Sequence, residues 1–292
     1  MPDKKKRIIK LEDSGHGGIA TDDAYSDRVR CDHPEVEDAS QLADSLIEAA
    51  EDSGRGKVMT MVEGEHVEDF MRQGFRLAGV MPDYYNGEAD CAVMTYNVDE
   101  ARRFLANPVE VSRVSELLKD VNGLDGADLA MMEKQASKTI RATFEDAEEI
   151  AALLGETFKD YPTPSHEAAY VRKQIQEGTP FRFIRDGEKM IACASADLIP
   201  EARAAELTDC ATNPAYRKKG LMSKVLSGLI LDLKGMEYAT AYTFSRARIP
   251  GINIVFKKLG FLYCGQLSQS CRIGDGLEDM NIWCRKIVSN VL

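Results

Sequence analysis

Residues Thr208–Leu226 read TDCATNPAYRKKGLMSKVL. An extended stretch ends at Thr212, and Pro214, which has no amide hydrogen to give a ladder, stops it. A turn then carries Arg217 and Gly220 into an apolar helix that begins near Leu221. Strand, glycine-bearing turn and helix N-terminus in that order aim backbone N–H groups at one point. The helix dipole adds partial positive charge there. Arg217, Lys218 and Lys219 concentrate cations at the same place in an otherwise acidic chain. A pyrophosphate fits this arrangement.

The surrounding chain has 292 residues and a formal net charge of −11, from 37 Lys and Arg against 48 Asp and Glu. Such an acidic surface repels phosphate backbones, so nucleic acid is not expected as a partner. Hydrophobic residues make up 44% of the chain, enough to build a core without disulfide staples. No apolar run reaches the length of a membrane span, and the start, MPDKKKRIIK, is basic without an apolar segment. The seven cysteines (31, 91, 193, 210, 264, 271 and 284) form no C-x-x-C pair. An odd set without such pairs argues against a zinc ribbon and against a disulfide framework, and a reducing cytoplasm is the expected setting.

Working outward from the loop, the second half alternates strands and helices. A strand is expected at 138–144, helices at 145–158 and 165–177, then strands at 181–186, 189–198 and 203–212. After the loop come a helix at 220–233, a strand at 237–244, a helix at 250–258, and strands at 261–269 and 277–287. The N-terminal 36 residues are polar, with Gly15, Gly17 and Gly18 clustered, and suit short strands or a loose arm. A helix over 37–53, a strand at 57–62, a short helix at 66–72 and two strands around Asn86-Gly87 follow. Residues 99–137 are mostly helical. The chain therefore divides into an N-terminal α/β domain (1–98), a helical connector (99–137) and a second domain (138–292). The fold class is α/β, a mixed sheet with helices on its faces.

One internal echo stands out. Phe70-Met71-Arg72-Gln73-Gly74-Phe75 repeats the pattern of Phe256-Lys257-Lys258-Leu259-Gly260-Phe261, and a glycine follows four residues later in each (Gly79 and Gly265). The first half is either a shortened copy of the second half's C-terminal part or a chance match of two amphipathic helices. It contains no R-x-x-G loop, and Gly54-Arg55-Gly56-Lys57 precedes a strand, so one phosphate site per chain is expected.

The loop spacing resembles the acyl-CoA-binding motif [Q/R]-x-x-G-x-[G/A] of the GNAT N-acetyltransferases. Arg217 and Gly220 match it, and Met222 departs from the usual small last residue. The resemblance covers about residues 138–288 and implies a GNAT-type, mostly antiparallel twisted sheet flanked by helices, with acetyl-CoA as cosubstrate. The runs AELTDCATNPAYRKKGLMS, TAYTFSRARIPGINIVFKKLGF and GLEDMNIW look like those of the β-lysine N6-acetyltransferases of archaea and bacteria. That similarity implies transfer of acetyl to the N6 amine of β-lysine, whose product in that family is an osmolyte made from a lysine 2,3-aminomutase product.

Acetyl transfer from a thioester to an amine needs a group to take the amine's proton, a donor for the thioester carbonyl and a route for the departing thiolate. Glu206, 11 residues before Arg217, stands where several GNAT enzymes carry a base, and Asp209 is its rival. The backbone N–H of Cys210 is the expected carbonyl donor, with Thr212 pairing along the pantetheine arm; Cys210 as nucleophile is the less favoured role. Leu221 follows the loop into the helix beside the pyrophosphate. Asn253 matches a polar cofactor contact of the family. At Phe256 the family's tyrosine general acid is missing, so either the thiolate leaves unaided or Tyr242 or Tyr263 replaces it.

A small diamino acid wants carboxylates for its amines and an arginine for its carboxylate. Asp160 and Tyr161 in the loop between the first two helices, Arg246 and Arg248 after a strand, and Glu278 and Asp279 before the last strand are the candidates. His166 reads as a helix-start residue, and His16, His33 and His66 are too scattered for a metal. Another small amine such as a polyamine, and a non-catalytic acyl-CoA-binding module, remain as alternatives. A homodimer contact through the first domain is a further expectation.

Overall fold

The computed structural model describes residues 6–10, 19–136 and 138–287. Gly15, Gly17, Gly18 and His16 lie outside them. The first half contains β1 (Lys6–Lys10), β2 (Ile19–Asp23), β3 (Arg28–Asp32), α1 (Ala39–Ser53), β4 (Lys57–Glu63), α2 (Val67–Arg72), β5 (Arg76–Tyr85) and β6 (Ala89–Asn97). The connector supplies α3 (Pro108–Lys119) and α4 (Gly126–Ala136). The second half contains β7 (Ile140–Arg141), α5 (Ala147–Thr157), α6 (Ala168–Gln176), β8 (Phe181–Asp186), β9 (Lys189–Ile199), β10 (Ala204–Thr212), α7 (Leu221–Gly235), β11 (Thr240–Arg246), α8 (Pro250–Lys258), β12 (Leu262–Ile273) and β13 (Gly276–Lys286).

Local chemistry explains the boundaries. The Asp38 carboxylate accepts the Gln41 amide at 3.0 Å and starts α1, whose Leu42, Leu46 and Ala50 line one buried face. Gly54, at φ +67°, ends it with a left-handed cap. Asn86 and Gly87 both take positive φ, which the tight hairpin between β5 and β6 requires. The strand expected at 138–144 is only two residues long, because Thr143 and Asp146 form a capping box that opens the next helical turn early.

All strands join one sheet in the order β1-β2-β3-β4-β6-β5-β12-β13-β11-β10-β9-β8-β7. Among the described residues, only β3 with β4 and β10 with β11 run parallel. The order β1-β2-β3-β4-β6-β5 therefore mirrors β8-β9-β10-β11-β13-β12, with α1 matching α7 and α2 matching α8. The echo seen around Phe70 and Phe256 is the visible part of this eight-element correspondence.

The halves meet where Gly79 of β5 faces Gly265 of β12. A Cβ on Gly79 would meet Cys264 O and, at 2.9 Å, Ile282 Cδ1, so only glycine lets the backbones come this close. Behind the junction, Met59, Met61, Met81 and Tyr84 pack with Tyr242, Met280 and Ile282 in a core shared by both halves. Buried Lys57 and Arg102 donate to the Ser268 and Gln269 carbonyls, each at 2.5 Å, and hold the irregular middle of β12 against the first half. Burial, with Arg102 nearby, pulls the Lys57 ammonium down to about 7. The connector stays outside the sheet, with α3 on α8 and α4 on α7.

Candidate active site

Beyond the junction, β10 separates from its parallel neighbour. Its ladder with β11 ends at the pair Glu206–Tyr242, whereas its ladder with β9 runs on to Thr212. A bulge between Thr208 and Ala211, with Asp209 at φ +51°, turns the strand. The result is a splayed edge that leaves β10 without a β11 ladder beyond Leu207, whose carbonyl accepts the Thr243 hydroxyl, and it turns the Asp209 side chain into the same cleft as Glu206.

That cleft encloses about 300 Å³. Glu206, Thr208 and Asp209 line it from β10, Tyr242 and Phe244 from β11, and Tyr161 from the loop before α6. The opposite wall comes from the first half and includes Arg28, Arg30 and Asp32 of β3. Glu206 keeps 18% of its side chain exposed. Its pKa is pushed up to about 7, by burial first; Arg30 opposes the shift and the Asp197 and Asp32 charges add to it. Asp209 rises to about 6 by burial, against hydrogen bonds from Ser195 Oγ, 3.0 Å away, and from the Tyr161 hydroxyl. Asp197 of β9 pairs in register with Glu206 and opens on solvent at the cleft mouth. Enclosure and the nearby Asp209 charge also raise its pKa. Two carboxyls near neutrality beside a splayed strand can exchange protons with an amine at physiological pH.

Cys210 is half-buried, and its thiol contacts the Thr208 carbonyl at 3.6 Å. Burial and the adjacent carboxylates push its pKa upward, away from thiolate. Tyr242 is buried, and burial and Glu206 make it hold its proton more tightly than a free phenol. Tyr263 is 54% exposed, outside the cleft and edge-on to Trp283.

After Thr212 the Asn213 side chain accepts the Ala215 amide at 3.1 Å and shapes the turn. Arg217 Nε reaches back to Thr212 O at 3.4 Å, Lys218 sits at φ +63°, and Lys219 lies over the Tyr216 ring at 4.8 Å. Gly220, at φ +69°, precedes α7 with no atom within 4 Å of where a Cβ would stand. The first-turn amides of this 15-residue helix thus open beside three cations and the end of the splayed strand. Leu221 packs partly against the core, and Met222 points into it, so the methionine does not crowd the loop.

Several expected contacts are placed elsewhere. The Asn253 side chain is fully buried: its Oδ1 accepts from Ser245, Asn281 and Trp283, and its Nδ2 donates to the Arg246 and Ile249 carbonyls. It locks α8 to β11 and β13, with no capacity left for a cofactor. Phe256 is a core residue edge-on to Phe261. The buried Glu278 carboxylate is gripped by Arg246 at 3.0 Å and by Arg248 at 2.5 and 2.8 Å. Asp279 accepts the backbone amides of Ala106, Asn107 and Gln269, tying the connector and β12 to β13. None of these four charges lines the cleft. Asp160, at φ +52°, accepts the Gly274 amide through its carbonyl and turns the chain so that Tyr161 enters. His166 lies in the turn before α6.

Arg30, Asp32, Lys6 and Asp197 were not singled out in the sequence. The alternation of Arg28, Arg30 and Asp32 with buried Val29 and Cys31 is the signal that marks β3 as a strand with one charged face. His33 sits at the cleft edge, its Nε2 3.0 Å from Tyr84 OH, and burial lowers its pKa. Among the described residues, no group of three or more His, Cys, Asp or Glu could hold a metal ion, and no helix is long and apolar enough to cross a membrane.

Residues 147–261 match the Acetyltransferase (GNAT) family. The β-lysine N(6)-acetyltransferase of Methanosarcina mazei is 30% identical over 85% of this chain and 97% of its own length. The protein of the same name from Methanococcus maripaludis is 28% identical over 84% of this chain and 88% of its own. N-acetyltransferase YodP of Bacillus subtilis is 27% identical over 96% of this chain and 100% of its own. The splayed strand, the glycine-capped basic loop and these similarities lead to one conclusion: the chain belongs to the GNAT acetyltransferase family and is an N-acetyltransferase.

Proposed function

We propose that the protein transfers acetyl from acetyl-CoA to the N6 amine of β-lysine. The observation that carries this reading is the pair Glu206 and Asp209, enclosed beside the splay of β10 with pKa values of about 7 and 6. The residues present suit acetyl-CoA. The α7 N-terminus, Arg217, Lys218, Lys219 and the bare Gly220 backbone suit its pyrophosphate. The unladdered edge of β10 at Cys210 and Thr212 suits a pantetheine arm lying as a pseudo-strand.

When bound, acetyl-CoA supplies the activated thioester. Glu206 takes the proton of the incoming ammonium, directly or through a water, with Asp209 as the alternative acceptor. The Cys210 amide donates to the carbonyl oxygen as charge gathers there. Tyr161 lines the cleft and hydrogen-bonds at Thr208 and Asp209; burial makes it hold its proton more tightly than a free phenol, so the thiolate leaves without needing it. A thiolate is already a good leaving group, so Phe256 in place of a tyrosine is no obstacle.

β-Lysine carries two ammonium groups and one carboxylate. Acetylation removes one positive charge and leaves a net-neutral zwitterion, which fits an osmolyte that must accumulate without counter-ions. All seven cysteines are unpaired, in keeping with a reducing cytoplasm. Thiol release from acetyl-CoA with β-lysine, α-lysine, polyamines and aminoglycosides tests the reading. Turnover confined to diamino acids and greatest with β-lysine is expected; a polyamine as the best acceptor would replace it.

A further inference from the structure

We infer that the first half selects the acceptor by its carboxylate, which Lys6 of β1 and Arg30 of β3 hold at the end of the cleft away from the loop. This rests on reading the acceptor as a diamino acid. The cleft carries both charges: Asp197, Glu206 and Asp209 of β9 and β10 face Lys6, Arg28 and Arg30, with Asp32 beside Arg30 on β3. Four carboxylates alone would suit a polyamine. Three cations in the same space disfavour one and offer an anionic group of the acceptor a place to bind.

The three cations are not equally available. Arg28 is buried, with Nε on Asp23 at 3.3 Å and Nη1 on the Ser270 carbonyl at 2.8 Å. Arg30 donates Nε to Asp32 at 2.6 Å but keeps 24% of its side chain exposed. Its Nη2 stands 3.7 Å from Glu206 across the cleft, an ion-pair distance longer than a hydrogen bond. The Phe244 ring, 5.6 Å from the guanidinium carbon, supports its other face. Lys6 is exposed on the edge strand. Lys6, Arg30 and Asp32 also line an adjoining pocket of about 180 Å³ with Thr21 and Asp23. Lys6 and Arg30 thus lie towards β1 and β2, with Asp23 and Asp32 beside them, while Glu206 and Asp209 lie at β10. An extended amino acid bridges the two: amine towards Glu206 and Asp209, carboxylate against the Arg30 fork and the Lys6 ammonium.

The test compares each acceptor with its counterpart lacking the carboxylate: β-lysine with pentane-1,4-diamine, and α-lysine with pentane-1,5-diamine. For the parent chain kcat/KM should favour the carboxylated member of the better pair by about 10- to 100-fold, the range of one charge-assisted hydrogen bond. Lys6→Gln and Arg30→Gln should each cut that preference about tenfold, mainly through the acceptor KM, and leave the KM for acetyl-CoA unchanged. Arg30→Gln will also alter the rate with both members, because Arg30 adjoins Glu206; the ratio removes that effect. A preference that survives in both variants, or a parent chain that accepts the diamines equally well or better, overturns the inference. If α-lysine is favoured over β-lysine and the variants still lose the preference, the carboxylate clamp stands and the β-lysine reading falls.

Discussion

Arg30 and Glu206 occupy equivalent positions in the two halves and meet across the cleft, 3.7 Å apart. The strand registers show it. Gly79 pairs with Val93 as Gly265 pairs with Ile282. Two residues further along, Thr95 pairs with Met59 as Cys284 pairs with Tyr242. Met59 in turn pairs with Arg30, and Tyr242 with Glu206. One half thus presents a cation and the other an acid at the same point of the fold, on either side of an approximate two-fold axis through the Gly79–Gly265 junction. The half without the basic glycine loop forms a wall of the cleft.

Glu206→Gln should lower kcat/KM by about 10²–10⁴, the usual scale of general-base catalysis, with little change in acetyl-CoA affinity. In the parent chain kcat/KM should rise as pH climbs through about 7, where Glu206 loses its proton. The variant's pH–rate profile should lack that limb. Normal rates for the variant at neutral pH would move the role to Asp209.

Glu206 also shapes stability against pH. Its pKa is higher in the folded chain, about 7, than the ordinary 4.5, so the folded state binds the proton more tightly between those values. Its contribution to stability is therefore greatest below about pH 4.5 and declines as pH rises to about 7. Urea unfolding of Glu206→Gln should match the parent at low pH and exceed it by on the order of 1–3 kcal/mol at pH 8. A variant less stable than the parent at pH 8 would mean that the pair with Arg30 outweighs the burial of the charge.

Acetyl-CoA should raise the melting temperature by mass action on the folded state. Arg217→Glu should remove most of that rise by setting a negative charge beside the pyrophosphate. Calorimetry with a non-hydrolysable analogue should give one site per chain, because α1 begins after Asp38, without a basic glycine loop. A stoichiometry near two would assign a second site to the first half.

Gly265 lies at φ +145°, and a Cβ there would collide with the Ala78 carbonyl and stand 2.6 Å from Gly79 Cα. Gly265→Ala should destabilise the chain by more than about 3 kcal/mol in denaturant unfolding, since neither backbone can retreat without breaking the junction. Leu262→Ala, at a site 60% exposed, serves as the control and should change stability little. A Gly265→Ala chain within about 1 kcal/mol of the parent would show that the strands need not approach so closely.

The loop, the order of elements in the second half and the positions of Glu206 and Asp209 are legible in the sequence because each depends on neighbours in the chain. Pro214 ends a strand, Gly220 opens a helix, and Glu206 and Thr208 alternate with apolar Ala205 and Leu207 on β10. The F-x-x-x-G-F echo is legible for the same reason. What the chain order hides is partnership across the fold. Asn253, Glu278 and Asp279 look like ligands of something because they are polar in apolar surroundings; their partners, Trp283, Arg248 and the Ala106 amide, come from distant segments, and burial made those pairings obligatory. Arg30 has the opposite history. In sequence it belongs to a polar arm, and only the pairing of Gly79 with Gly265, about 50 residues from one and 60 from the other of the two charges it brings together, sets it against Glu206. Local pattern fixed the elements and the basic loop; the cleft between the halves is a product of two strands that meet only because two glycines leave room for it.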